Sequence, residues 1–352
     1  MDHDEPTKRP IGLPPESGAP PDPVDVPWID AHQHTQSLTW NDREKFDLSG
    51  GEAAVMIAAG YYWTPYRPVR PEHVRFLWDD ALRRAAAFTH RHFYDQYVAV
   101  GVHTWSHVED ADELLAALPE YCDHDRVVAV GETGIESTHH TSQWPLDGQR
   151  DVVREQMHVA RETGLPVLVH TPGSSKGDVD PRESHSYEEG NRNFTEPLLD
   201  AETAKRDAVE MDVELADEAG LADEQVVIDH VDGDVVPYLM ETTNCRLSFT
   251  VGAPWLRGVD ARDVADAVEE YGPDRILVDT DLIGAMRCDP FAMKRTILDL
   301  LRLGVPREDV RKVVYENPKA VLDLRHSVRA AKASSSAVSQ WVSRSSSETS
   351  AG

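Results

Sequence analysis

Eight short apolar runs recur along this chain, at 26–31, 53–59, 97–102, 127–130, 166–169, 225–228, 246–251 and 275–278. Longer segments with apolar residues at 3.6-residue spacing separate most of them: 71–92, 109–118, 148–163, 203–219, 259–271, 290–303 and a stretch from 306 to about 325. Strands alternating with helices build parallel sheets, because a parallel neighbour needs a crossover. Eight such units predict an α/β fold of the (β/α)8 TIM-barrel type, with an open doubly wound sheet as the runner-up. The barrel is preferred because ligand-type side chains lie just past the C-terminal ends of several runs. An open sheet would gather them at one switch point.

The barrel should occupy residues 26–326 of the 352. A Pro-rich leader at 1–25 and a Ser-rich tail at 327–352 read as disordered appendages. A polar stretch at 171–194 follows the fifth strand with no helical period, as a lid or an insertion would. The chain carries 63 acidic against 35 basic residues, a net charge of −28. That balance repels nucleic acid and anionic membranes at ordinary salt. The 40% hydrophobic content argues against a disordered acidic protein, so adaptation to molar salt is the better account, as in a halophilic archaeon. Three scattered cysteines, Cys122, Cys245 and Cys288, suit a reducing cytoplasm. Nothing approaches the roughly 18–20 apolar residues a membrane helix needs.

The chemistry begins in Asp30-Ala31-His32-Gln33-His34. Residues two apart on a strand share a face, so His32 and His34 project together with Asp30 one layer below. Four further strand ends carry metal-binding side chains. Glu132 is in phase with Val128 and Val130, His170 follows Val169, Asp229-His230 follow Ile228, and Asp279-Thr280-Asp281 follow Val278. By the same alternation, Asp229 should face away from His230 and not ligate. Four imidazoles and two carboxylates are too many for one tetrahedral ion with an open position. They suit two borderline or hard ions with a bridging carboxylate, Zn, Mn or Mg. Two ions about 3.5–4 Å apart activate water and polarise the bond under attack, so hydrolysis is the expected reaction.

These motifs, in this order from Trp28 to Asn317, resemble the TatD-like metal-dependent hydrolases of the amidohydrolase superfamily. The first segment is similar to the family's D-x-H-x-H, and Gly131-Glu132-Thr133-Gly134-Ile135-Glu136 to its G-E-x-G-L-[DE]. Val169-His170-Thr171, Asp229-His230, Asp279-Thr280-Asp281 and Glu316-Asn317-Pro318 follow its later motifs. The resemblance implies that His32, His34 and Asp281 hold one ion, and that Glu132 bridges to a second held by His170 and His230. It implies Asp281 as the base. Strand parity puts Asp279 on the same wall as Asp281, one layer deeper behind the ligands, and His103, at a strand end, would stand behind them or against the substrate. The family nucleases carry G-x-H-P-H after strand three, where this chain has Gly101-Val102-His103-Thr104-Trp105. They follow the strand-five His with Ser-Arg, where this chain has Thr171-Pro172.

The expected activity is therefore a binuclear hydrolase of a phosphodiester, in a nucleic acid or a small molecule. The alternatives are hydrolysis of a small cyclic ester or amide, and a non-catalytic metal-binding scaffold.

Overall fold

The computed structural model describes residues 25–58, 68–92, 94–105, 107–136, 144–172, 199, 203–252, 259–283 and 289–324. The expectations for the leader, the tail and all but the start of the 171–194 stretch lie outside these residues. One sheet carries the fold. Its strands are β1 (Trp28–His34), β2 (Gly51–Ile57), β3 (Asp95–Val100), β4 (Val127–Thr133), β5 (Val167–Val169), β6 (Val226–Ile228), β7 (Arg246–Thr250), β8 (Ile276–Asp279) and β9 (Leu282–Ile283). All pairings are parallel, in the order β8-β7-β6-β5-β4-β3-β2-β1-β9.

The ninth strand lies beyond the expected eighth run, at 282–283. Only Thr280 and Asp281 separate β8 from β9, and Asp281 takes a left-handed φ of 42°. That turn redirects the chain, so β8 pairs with β7 while β9 pairs with β1. The ring closes through this broken strand, as a (β/α)8 barrel requires. Asp30 fastens the seam. It accepts the Thr280 amide at 3.1 Å, the Thr280 hydroxyl at 2.5 Å and the Gln33 amide at 2.7 Å. Burial pushes its pKa up to about 6 despite these donors.

Strands β1, β3 and β4 are buried along their whole length, as expected for a parallel sheet covered on both faces. Helices α1 (Trp40–Leu48), α2 (Pro71–Arg91), α3 (Ala111–Cys122), α4 (Leu146–Thr163), α5 (Ala204–Ala219), α6 (Val236–Thr242), α7 (Ala261–Tyr271) and α8 (Ala292–Leu303) alternate with them. Helix α2 shows why: Pro71 starts it, and Val74, Leu77, Trp78, Ala81, Ala85 and Phe88 form one buried stripe. Two helices were not expected. Helix α1 buries only Phe46, so it has no apolar period to read. Its sequence signal is instead the reciprocal cap between Thr39 and Asp42. Helix α6 spans only seven residues, too short for periodicity to stand out.

The expected helix from 306 is divided into α9 (Arg307–Arg311), a π-helical stretch at Lys312–Glu316 and α10 (Asn317–Val321). Asn317 donates to the carbonyls of Pro273 and Ile276, both at 2.7 Å, and so ties this segment to the start of β8.

Asp30→Ala leaves the buried Thr280 amide and hydroxyl without their acceptor. Its unfolding free energy should drop by about 1–3 kcal/mol, read from urea denaturation. Unchanged stability would show that the seam does not depend on this carboxylate.

Candidate metal centre

The C-terminal ends of β1, β4, β5 and β6, with the β8–β9 break, bring His32, His34, Glu132, His170, His230 and Asp281 together. Among the described residues, three triads have ligand atoms all within 4.8 Å of one another: His32–His34–Asp281, His32–Glu132–His230 and His103–Glu132–His170. Glu132 is the hub. Its Oε1 lies 2.6 Å from His170 Nδ1 and 3.2 Å from His230 Nε2, and its Oε2 lies 3.6 Å from His32 Nε2. Asp281 Oδ1 is 3.1 Å from His34 Nε2 and 3.5 Å from His32 Nε2.

The segment carrying Glu132 is anchored from several sides. Gln156 of α4 bonds both Val102 backbone groups and donates to the Thr133 hydroxyl. Gln149 accepts the Glu136 amide and donates to its carbonyl, at 2.7 and 3.0 Å. Buried Asp212 of α5 accepts the Ile135 amide at 3.1 and 3.2 Å, and Thr104 donates to the Gly134 carbonyl. Gly134 has a φ of 147°, and a Cβ there would meet the His170 carbonyl oxygen at 2.3 Å. No other residue fits where β4 and β5 approach so closely.

Charge explains the titration of the cluster. Burial would raise the Glu132 pKa, but His32, His170 and His103 outweigh it and hold the carboxyl well below its usual range. Burial likewise opposes charge on His32, yet Glu132, Asp229 and Asp281 hold its pKa well above the ordinary value. His170, also buried, is pushed up to about 10 by Glu132 and Glu136. His230 is lowered by burial, with His170 and His32 adding to it. Burial would raise Asp281, but the His34 hydrogen bond and His32 keep it ionised below its usual value.

Two acidic residues behind the cluster differ from expectation. Asp229 does not face away. Its Oδ2 accepts from His32 Nδ1 at 3.1 Å, which turns Nε2 of that ring toward the centre. Strict alternation fails because His230 takes a left-handed φ of 58°, so both neighbours point inward. The turn is held by buried Lys205, whose Nζ donates to the His230 carbonyl at 2.5 Å and pairs with Asp232 at 3.0 Å. Glu136, quoted in the motif but given no role, places Oε2 3.3 Å from His170 Nε2 and accepts the Trp105 indole N–H. Its position four residues past Glu132, beyond the strand, gave no alternation to read.

Asp279 stands one step removed from the cluster histidines. It accepts the hydroxyls of Ser248 and Thr250, and Thr250 Oγ1 receives His230 Nδ1 at 2.7 Å. Burial and neighbouring Asp229 push its pKa well above normal. His103 lies beside the hub, with Nε2 3.7 Å from Glu132 Oε2.

A divalent cation fits this donor set. Buried His32 Nε2 has no hydrogen-bond partner among the described residues, yet it stands 3.5–3.6 Å from two ionised carboxylates. An ion between them satisfies all three.

The model of TatD-related DNases matches residues 29–323. The chain belongs to this family. It is 26% identical over 291 residues to an uncharacterized metal-dependent hydrolase of Methanocaldococcus jannaschii, covering 83% of this chain and 98% of that one. A TatD-like protein from Archaeoglobus fulgidus superposes with a TM-score of 0.60 at 21% identity, over 84% of this chain and all of that one. The phosphotriesterase homology protein of Escherichia coli superposes at 0.54 and 12% identity, over 86% and 99%. These likenesses confirm the barrel. The TatD-family protein is an enzyme, a hydrolase that depends on divalent metal. Among the described residues, no helix is long and apolar enough to cross a membrane.

Asp212 supplies a pH test. Burial raises its carboxyl well above 3.8, so the folded protein binds this proton more tightly than the unfolded chain. Its contribution to stability is present at low pH and is lost as pH rises through the folded value. Asp212→Asn removes that loss while keeping an acceptor for Ile135. Between about pH 4 and 7, the variant should gain stability relative to the wild type in urea unfolding. Parallel pH curves would contradict the raised pKa.

Proposed function

We propose that the protein is a binuclear hydrolase of phosphodiesters, in which His32, His34 and Asp281 hold one ion and His170 and His230 hold the other. Glu132 would be shared between them. The observation that carries this reading is the position of Glu132, whose two carboxylate oxygens face His32 on one side and His170 and His230 on the other. Bound there, two Zn, Mn or Mg ions would lower the pKa of a shared water and polarise the scissile bond.

The chain's own residues do the rest. Asp281, kept ionised by His34 and His32, accepts the proton of the attacking water. Asp229 fixes the His32 ring, and Asp279 fixes His230 through the Thr250 hydroxyl. Each such contact would leave Nε2 of the neutral ring to hold an ion. Glu136 steadies His170 from behind.

One observation favours a small cyclic ester or amide as the second reading. His170 is followed by Thr171, whose hydroxyl turns inward to the Asp229 carbonyl at 2.7 Å. The next residue is Pro172, where the family nucleases carry an arginine; an arginine there would clamp a phosphate in two-point fashion, and a proline cannot.

Purified protein should carry one to two equivalents of divalent metal by elemental analysis. Glu132→Gln should lose an ion and at least about 100-fold in activity while its circular dichroism stays unchanged. Turnover is measured on a chromogenic phosphodiester, single-stranded DNA and a lactone, each with Mn or Zn. Turnover of the lactone alone would replace the phosphodiester reading, and full activity in Glu132→Gln would remove the bridge.

A further inference from the structure

Three residues contribute ligand atoms to the triad around His103, and its place beside Glu132 and His170 invites a reading as a seventh ligand. The hydrogen bonding of its ring argues otherwise. The Trp105 backbone N–H donates to His103 Nδ1 at 3.0 Å. A neutral imidazole carries one proton, so an accepting Nδ1 places that proton on Nε2. Nε2 is the nitrogen that faces the centre, 3.7 Å from Glu132 Oε2. An ion needs a lone pair at that nitrogen, and the only lone pair of this tautomer is already used by the backbone.

The three neighbouring rings are built the opposite way. Asp229 accepts at His32 Nδ1 and Thr250 at His230 Nδ1, so with Nδ1 carrying the proton of the neutral ring, Nε2 of each would be the nitrogen left to an ion. His170 offers Nδ1 to the hub and turns Nε2 to Glu136. His103 alone among these four has a donor behind its ring instead of an acceptor. Among the described residues its N–H also reaches no acceptor within hydrogen-bond range, Glu132 Oε2 at 3.7 Å lying beyond it. The ring is held in place by His170, 4.6 Å away between centroids, and by Trp105, 5.6 Å away.

We infer that His103 is a catalytic hydrogen-bond donor, whose Nε2–H meets the substrate oxygen that gains negative charge as the scissile bond is attacked. This rests on the hydrolytic centre proposed above. A carbonyl oxygen of an ester and a non-bridging oxygen of a phosphodiester offer the same acceptor, so the role holds for either substrate. A neutral, fixed donor aimed at a developing oxyanion stabilises the transition state more than the ground state.

Two variants and one spectroscopic measurement test it. His103→Ala should keep the wild-type metal content and KM within about threefold, while kcat falls about 100-fold. His103→Gln, whose side-chain amide can donate from a similar place, should recover part of that loss. In protein labelled with 15N-histidine and loaded with 113Cd, the resonance absent from His103→Gln should show an unprotonated Nδ1 and a protonated Nε2, with no coupling to cadmium. Loss of an ion from His103→Ala, or cadmium coupling to His103, would make it a ligand and overturn the inference. So would an unchanged kcat. If the wild type hydrolyses none of the panel, the proposed function fails by itself. The tautomer and coupling then decide His103 alone: a protonated Nδ1 overturns its donor role.

Discussion

Closure of the strand ring at Thr280-Asp281 is the constraint on which the remaining geometry depends. The eighth strand must serve two neighbours, β7 and β1, and it does so by breaking after Asp279 and resuming at Leu282. The break costs backbone strain at Asp281, which sits at φ 42°. Asp30 offsets that cost by gathering the Thr280 amide and hydroxyl. Closure also sets Asp281 opposite His32 and His34, residues some 250 positions away in the chain. In an open sheet the first and last strands would stand at opposite edges, and the cluster could not form.

Within the closed ring, the centre is organised as layers of alternating demand. Buried carboxylates at Glu132 and Asp281 need positive partners, and buried imidazoles need their second nitrogen satisfied. Asp229, Glu136 and the Thr250–Asp279 pair meet that second need for His32, His170 and His230. Lys205 serves further out still. It holds the His230 carbonyl, keeping a left-handed turn that lets Asp229 and His230 both face inward. His103 breaks this pattern, because the group behind its ring is a donor, the Trp105 backbone N–H, and not an acceptor.

The legibility of these parts in the sequence follows from how each is encoded. Strands such as β4, buried on both faces, leave continuous apolar runs, so all eight runs correspond to strands. Helices α1 and α6 escaped notice because they bury almost nothing or are too short to show a period. Period-two alternation brought His32 and His34 together correctly, because both lie within β1. The same rule misplaced Asp229, because it assumes extended backbone where His230 is left-handed. Glu136 lay past the end of β4, where no periodic rule applies; Gln149 and Asp212, from helices α4 and α5, decide where it goes.

The sequence by itself determined the class of the fold, the order of the motifs and the identities of the six converging side chains. Each of these depends on residues close together in the chain, where strand period and residue chemistry are enough. Only the tertiary structure decided which ring nitrogen faces the centre, which acidic residues stand behind it, and how the barrel closes. Those outcomes depend on hydrogen bonds between strands and helices far apart in sequence, such as Asp229 with His32 and Asp30 with Thr280. Tautomer and orientation are properties of the partner a ring meets, and partners are assigned by folding.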